Sequence, residues 1–172
     1  MVEVVVSRLG LDSSTQSYVV ILQEKDGERL LPIWIGQPEA ESIVMQMHNI
    51  KRVRPLTHDL CKSLILGLGA RLQKVHITRV EKNTYYAELY ISRNGGGDVV
   101  QVDARPSDSI AIALRLSAPI FASETLLTDV QVEEAQETFD AESLRSTSEL
   151  SAEQLKEYLE RLRPEDFGKF NL

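Results

Sequence analysis

The segment "SIAIALRL", residues 109–116, constrains the fold more than any other. Ile110, Ala111, Ile112, Ala113, Leu114 and Leu116 leave almost no polar face on a helix, so the pattern predicts a helix that is covered nearly all round. The residues just before it are opposite in character. "VDARPSDS" ends a β-branched run at Asp103, then sets Arg105, Pro106, Ser107, Asp108 and Ser109 ahead of the apolar stretch. A buried helix needs a sheet and other helices around it, and the rest of the sequence is written to supply both.

"VEVVVSRLGLD" and "SYVVILQEKDGERLLPIWIG" read as three strands, with the Asp-Gly of "KDGE" as a hairpin signal. The period then changes. Ala40, Ile43, Val44, Met47 and Ile50 are spaced by three and four, one face of a helix whose first turn holds Pro38. "THDLCKSLILGLGA" predicts a second helix, with Thr57 as N-cap and Gly67 or Gly69 near its end. "RLQKVHITRVEKNTYYAELYISRNGGGDVVQVDA" returns to strands around turns at "EKNT" and "RNGGGD". Within it Ala87, Leu89 and Ile91 alternate with Tyr86, Glu88 and Tyr90, which gives one drier and one wetter face. The buried third helix follows, with Ser107 or Asp108 answering its unpaired N–H groups. A short strand in "APIFA" and a short helix capped by Ser123 come after it.

The expected fold class is therefore α+β: a single compact domain over residues 1–130, mostly antiparallel strands with three main helices. Residues 131–150 are acidic and poor in large apolar groups, and read as a linker. Residues 151–172 hold one short helix, with Ser151 and Gln154 as a capping box and Leu155, Tyr158, Leu159 and Leu162 at helical spacing.

Composition excludes several classes. No run of 18 apolar residues exists, and the N-terminus lacks a basic region before its apolar stretch, so neither a membrane span nor a signal peptide is expected. Cys61 is the single cysteine, which rules out an internal disulfide and fits a cytoplasmic protein. The net charge of −7 is unevenly spread. Residues 124–172 carry 13 acids and 5 bases, a balance of −8, while residues 1–123 carry 13 acids and 14 bases, a balance of +1. The body is thus nearly neutral. Its one basic run, "KRVRP" at 51–55, reads either as a solvated connection between helices or as a place that meets phosphates.

Three helix starts share a pattern: "IWIGQPEAESI", "RPLTHDLCKSLI" and "VDARPSDSIAIAL" each combine a proline with polar residues. Capping explains an acceptor at each start. It does not explain an arginine placed twice at the positive end of a helix dipole. In one reading Arg54 and Arg105 pair with the nearby carboxylates as an internal clamp. In the other they face a phosphate that the helix starts also attract. Asp103 and Asp108 then hold Mg²⁺ or Mn²⁺, and His58 or Asp59 moves a proton. The clamp and the composite site alike require the helix starts to meet in space. Walker, GxGxxG, HExxH and GxSxG motifs are absent, and Cys61 and the histidines lack zinc spacing. His48 and His76 read as surface or core residues. Tyr85, Tyr86 and Tyr90 read as strand packing, with base stacking the alternative if they are exposed.

Taken together, "LPIWIGQPEAESI", "RPLTHDL" and "DARPSDSIAIALR" resemble the bifunctional nuclease family of bacteria and plants, in that family's order and across residues 1 to about 130. The resemblance implies a compact α+β domain that self-associates, with nuclease activity on RNA and DNA in some members. The positions matching the family's polar blocks are Glu39, Arg54, Thr57, His58, Asp59, Asp103, Arg105, Ser107 and Asp108. The expectation is a metal-assisted phosphodiesterase acting on nucleic acid. Its catalytic residues are His58, Asp59, Asp103 and Asp108, its phosphate-binding residues Arg54, Arg105, Thr57 and Ser107, and its metal ligands Asp103 and Asp108. The alternative is a non-catalytic homo-oligomeric module, in which the same residues are caps and clamps and the acidic tail binds a protein partner.

Overall fold

In a computed structural model the described residues are 1–12, 17–93 and 98–129. The expected linker over 131–150 and the helix within 151–172 lie outside them. The described residues form two antiparallel meanders. β1 (Val2–Asp12), β2 (Ser17–Glu24) and β3 (Leu30–Ile35) make the first, and β4 (Ala70–Glu81), β5 (Thr84–Arg93) and β6 (Val99–Ala104) the second. The Asp-Gly signal is realised as a connection over residues 25–29, closed by Glu24 N–H donating to the Arg29 carbonyl at 2.9 Å. The turn in "EKNT" is tighter. Lys82 and Asn83 both take positive φ, 48° and 61°, the pair of left-handed residues that a two-residue hairpin of the right twist requires.

β7 (Ile120–Ala122) joins the two meanders into one sheet of order β3-β2-β1-β7-β4-β5-β6. It runs antiparallel to β1, with Val2 opposite Ala122 and Val4 opposite Ile120. It runs parallel to β4, with Val75 opposite Ile120 and Ile77 opposite Ala122. The fold is α+β, as the sequence pattern predicts, and the β4–β7 pair is the parallel exception in an otherwise antiparallel sheet.

Register defines the buried face. Val75, Ile77, Ala87, Leu89, Ile120 and Ala122 are buried and share one side of the sheet. α3 (Pro106–Leu116) lies over β4 and β5, flanked by α1 (Gln37–Met47) and α2 (Thr57–Gly67). Ile110, Ala111 and Ala113 of α3 are fully buried, which is the cover its composition demands. α2 behaves differently: none of its residues is buried, and Leu60, Leu64 and Leu68 make an exposed line at i, i+4 and i+8. No helix among the described residues is long and apolar enough to cross a membrane.

The helix starts differ from expectation in their caps. Leu56, not Thr57, is the N-cap of α2, and Thr57 is the first helical residue. Arg105 is the N-cap of α3, so neither Ser107 nor Asp108 holds that position. A proline inside the first turn fixes where α3 begins. Pro106 pre-sets the helical φ and has no N–H to satisfy, so the cap falls on the residue before it.

Candidate functional site

Each helix carries an acid at its third position: Glu39 in α1, Asp59 in α2 and Asp108 in α3. Negative charge there is favoured by the helix dipole. The chain spends these carboxylates on one another's helices, and this brings the three helix starts together.

Arg105 is the hinge of the cluster. Its Nε donates to Asp108 Oδ2 at 2.8 Å and its Nη2 to Asp108 Oδ1 at 3.0 Å, a two-pronged pairing. Nη2 also reaches Glu39 Oε1 at 2.8 Å, tying α3 to α1. Gly36, the N-cap of α1, leaves the room for this, because a Cβ there would collide with the Glu39 carboxylate. His58 of α2 completes the junction. Its Nε2 lies 3.1 Å from Asp108 Oδ1 and its Nδ1 lies 2.7 Å from the hydroxyl of Ser42 in α1. Burial opposes ionisation of Asp108, but the hydrogen bonds from Arg105 and His58 outweigh it and hold the carboxyl below the usual range.

Above this junction lies an open cleft of about 330 Å³, lined by Glu39, Ser42, Met45, Thr57, His58, Arg105 and Asp108 among others. The side chain of Arg105 is 66 % exposed at its rim, while that of His58 is only 12 % exposed. Asp59 faces elsewhere. It accepts the Leu56 N–H at 2.9 Å and Arg115 Nε at 2.6 Å, and Arg115 also donates to the carbonyls of Ala111 and Ser42. Burial again works against the charged form of Asp59, and the Arg115 bond and the Leu56 N–H overcome it, so its carboxyl also sits low.

Glu39, Thr57, His58, Arg105 and Asp108 therefore share the cleft. Asp59 belongs to a neighbouring structural pair, and Ser107 is buried in the first turn of α3. Arg54 is exposed in the loop between α1 and α2 and makes no ion pair with another described residue. Asp103 is placed away from the cleft. In the β5–β6 register Ala104 pairs with Ala87 and Val102 with Leu89, on the face under α3, so Asp103, opposite Glu88, projects from the other side of the sheet. The clamp is thus real but differently wired. Arg105 takes Asp108 and Glu39, and Asp59 takes Arg115 instead of Arg54 or Arg105. Among the described residues no group of three or more His, Cys, Asp and Glu is placed to hold a metal ion. Asp108 has both oxygens engaged and Asp103 is on the opposite face, so this donor set does not fit a metal site built by the two.

The tyrosines are packing residues in contact with neighbours. Tyr85 donates to the Pro32 carbonyl, Arg79 lies over the ring of Tyr86, and Tyr90 bonds Glu88 beside His76.

Residues 20–135, which include every residue of the cleft, match the profile of the bifunctional nuclease domain. The chain belongs to the bifunctional nuclease domain family. An uncharacterized protein of Mycobacterium tuberculosis is 40 % identical over 167 residues, 97 % of this chain and 98 % of the relative. Bifunctional nuclease 2 of Arabidopsis thaliana is 33 % identical over 109 residues, 62 % of this chain, and Bifunctional nuclease 1 of indica rice 30 % over 114 residues, 65 % of this chain. The match spans only about a third of each of these plant proteins, 33 % and 34 %. In this bifunctional nuclease domain two site residues escaped the sequence reading. Arg115 had a usable signal: a lone cation in a helix with no exposed face must find a buried carboxylate. Ser42, one small polar residue on an apolar helix face, had none.

Proposed function

We propose that this domain cleaves phosphodiester bonds of RNA or DNA, with the scissile phosphate seated in the cleft between the three helix starts. The observation that carries this reading is the setting of His58. Asp108 holds one ring nitrogen, a hydroxyl holds the other, and the ring lines an open cleft with an exposed arginine at its rim. Arg105 meets the phosphate through Nη1, which has no partner among the described residues, while its other nitrogens stay on Asp108 and Glu39. His58 moves the proton, and Asp108 orients the ring and stabilises its charged form. The family membership and the names of the plant relatives support the same reading.

Charge sets a condition on it. Glu39, Glu41 and Asp108 line the cleft and outnumber Arg105, so the pocket alone repels a polyanion. Lys51, Arg52 and Arg54 offset this from the loop joining α1 to α2, where Arg52 Nε reaches Met45 Sδ on the cleft wall at 3.3 Å. Such attraction weakens as salt rises. The test is cleavage of single-stranded RNA and DNA by the purified full chain, in Mg²⁺, in Mn²⁺ and in EDTA. Expected are a loss of about a hundredfold or more in His58→Ala and a decline with salt. The EDTA arm decides whether a metal takes part. Wild-type protein inert in every arm ends the reading.

A second reading, of assembly, rests on the exposed leucine line of α2 and on β6. That edge strand exposes Val100 and Val102 on the side where α3 covers its neighbours. We infer that copies of the domain associate through this surface.

A further inference from the structure

We propose that Ser42 is the nucleophile of this site and that the reaction passes through a phosphoryl ester on its hydroxyl. This rests on reading the cleft as a phosphodiester site, and it adds a covalent step that the reading does not require. The starting point is proton bookkeeping around His58. Asp108, held ionised by Arg105, can only accept, so His58 Nε2 carries the hydrogen of the 3.1 Å contact. In the neutral ring Nδ1 is then an acceptor, and the 2.7 Å contact is Ser42 O–H donating to it. Both ring nitrogens are occupied. The proton that His58 takes up is therefore that of Ser42.

The behaviour of Ser42 sets it apart from the other helical serines. A serine inside a helix ordinarily bonds back to the carbonyl four residues earlier. Ser63 in α2 does so, donating to the Asp59 carbonyl at 2.9 Å. Ser109 in α3 is buried and its hydroxyl has no partner among the described residues. Ser42 instead crosses to another helix and aims at an imidazole whose far side is fixed by a carboxylate, the arrangement that activates a hydroxyl. The residue is 4 % exposed and is one of those lining the cleft, and attack on a phosphate requires its hydroxyl to be reached from there. Its backbone is also anchored, because the Ser42 carbonyl accepts Arg115 Nη1 at 3.3 Å. Arg105, Thr57 and His58 line the same cleft, and Arg105 Nη1 with the first-turn N–H groups would be the donors for the oxygens of a phosphate under attack.

The chemistry balances without a further reagent. Ser42 Oγ forms a bond to phosphorus as its proton passes to His58 Nδ1. The bond from phosphorus to the leaving nucleoside oxygen breaks, and that oxygen takes the proton from Nδ1. Water then attacks phosphorus and gives a proton to Nδ1, the Oγ–phosphorus bond breaks, and Ser42 recovers its proton.

The test uses the full chain and diisopropyl fluorophosphate, which phosphorylates activated serine hydroxyls and needs no nucleic acid. Peptide mass spectrometry is expected to find the adduct on Ser42. Labelling should fall about a hundredfold or more in Asp108→Asn, whose side chain no longer holds the ring in the required tautomer. Ser42→Ala is expected to abolish both adduct and cleavage, with circular dichroism checking its fold. An adduct on Ser42 in a protein that cuts no nucleic acid supports the nucleophile and removes the nuclease reading. Cleavage by wild type with no adduct on Ser42, or a folded Ser42→Ala that still cuts, overturns the nucleophile and leaves the nuclease reading standing.

Discussion

Arg115 is 7 % exposed, and its charge is held by one carboxylate and two carbonyls. Replacing Asp59 by Asn leaves that guanidinium buried with its carbonyls alone. Removing one partner of a fully buried pair costs about 3–5 kcal/mol, and because the Asp59 side chain is itself 37 % exposed, water screens the loss to at most about 3 kcal/mol. Urea denaturation of Asp59→Asn is expected to show it, with a smaller loss in Arg115→Met, which removes the buried charge itself. Acid titration follows from the same groups. Asp59 and Asp108 both have lowered folded pKa values, so the unfolded chain binds more protons in that range and stability rises with pH. Their contribution is complete above the ordinary carboxylate pKa of about 4 and is lost as pH falls through the lower folded values. Denaturation midpoints measured from pH 6 down to about pH 2 should drop through this window, and the drop should be shallower in Asp59→Asn. The sequence shows this chemistry unevenly. Glu39, His58, Arg105 and Asp108 stand in conspicuous polar blocks beside proline. Asp103 stands in one as well, but strand phase decides where it points. With Val99, Val100 and Val102 apolar on both faces, alternation cannot be read there.

At the scale of elements, β-branched runs and changes of period locate the strands and helices well, because those patterns follow from how each element meets the core. Caps are less legible, since they depend on where a proline or a neighbouring backbone lets the first turn close. Thr57 looks like a cap for α2, but Asp59 satisfies the Leu56 N–H instead. Thr57→Ala is therefore expected to change stability by less than about 0.5 kcal/mol, against about 1 kcal/mol for a true threonine cap, as thermal melting would show. At the start of α1 the reverse holds. Gly36→Ala places a methyl group where the Glu39 carboxylate sits, so it should uncouple Glu39 from Arg105. A lowered melting temperature with Asp108 still paired to Arg105 in the variant's structure is the expected outcome.

For the whole molecule, the exposed line of Leu60, Leu64 and Leu68 predicts association. Light scattering is expected to give a multiple of 19.3 kDa, and Leu64→Glu to shift it toward a single chain while leaving the circular dichroism spectrum unchanged. The relation between the meanders is the part of the architecture that local pattern conceals, because pairing partners 45 to 120 residues apart leave no periodic trace. β7 has only three residues, 120–122, yet it is the strand that bonds to the inner edges of both β1 and β4. A ribosome makes β1 first and β7 last among the described strands. Through most of synthesis the nascent chain thus presents two open strand edges, which are templates for pairing with other chains. Burial of α3 against a finished sheet waits for the same closing event. Such a topology folds slowly for its size, and its period of greatest exposure to aggregation ends only when the last short strand slides into place.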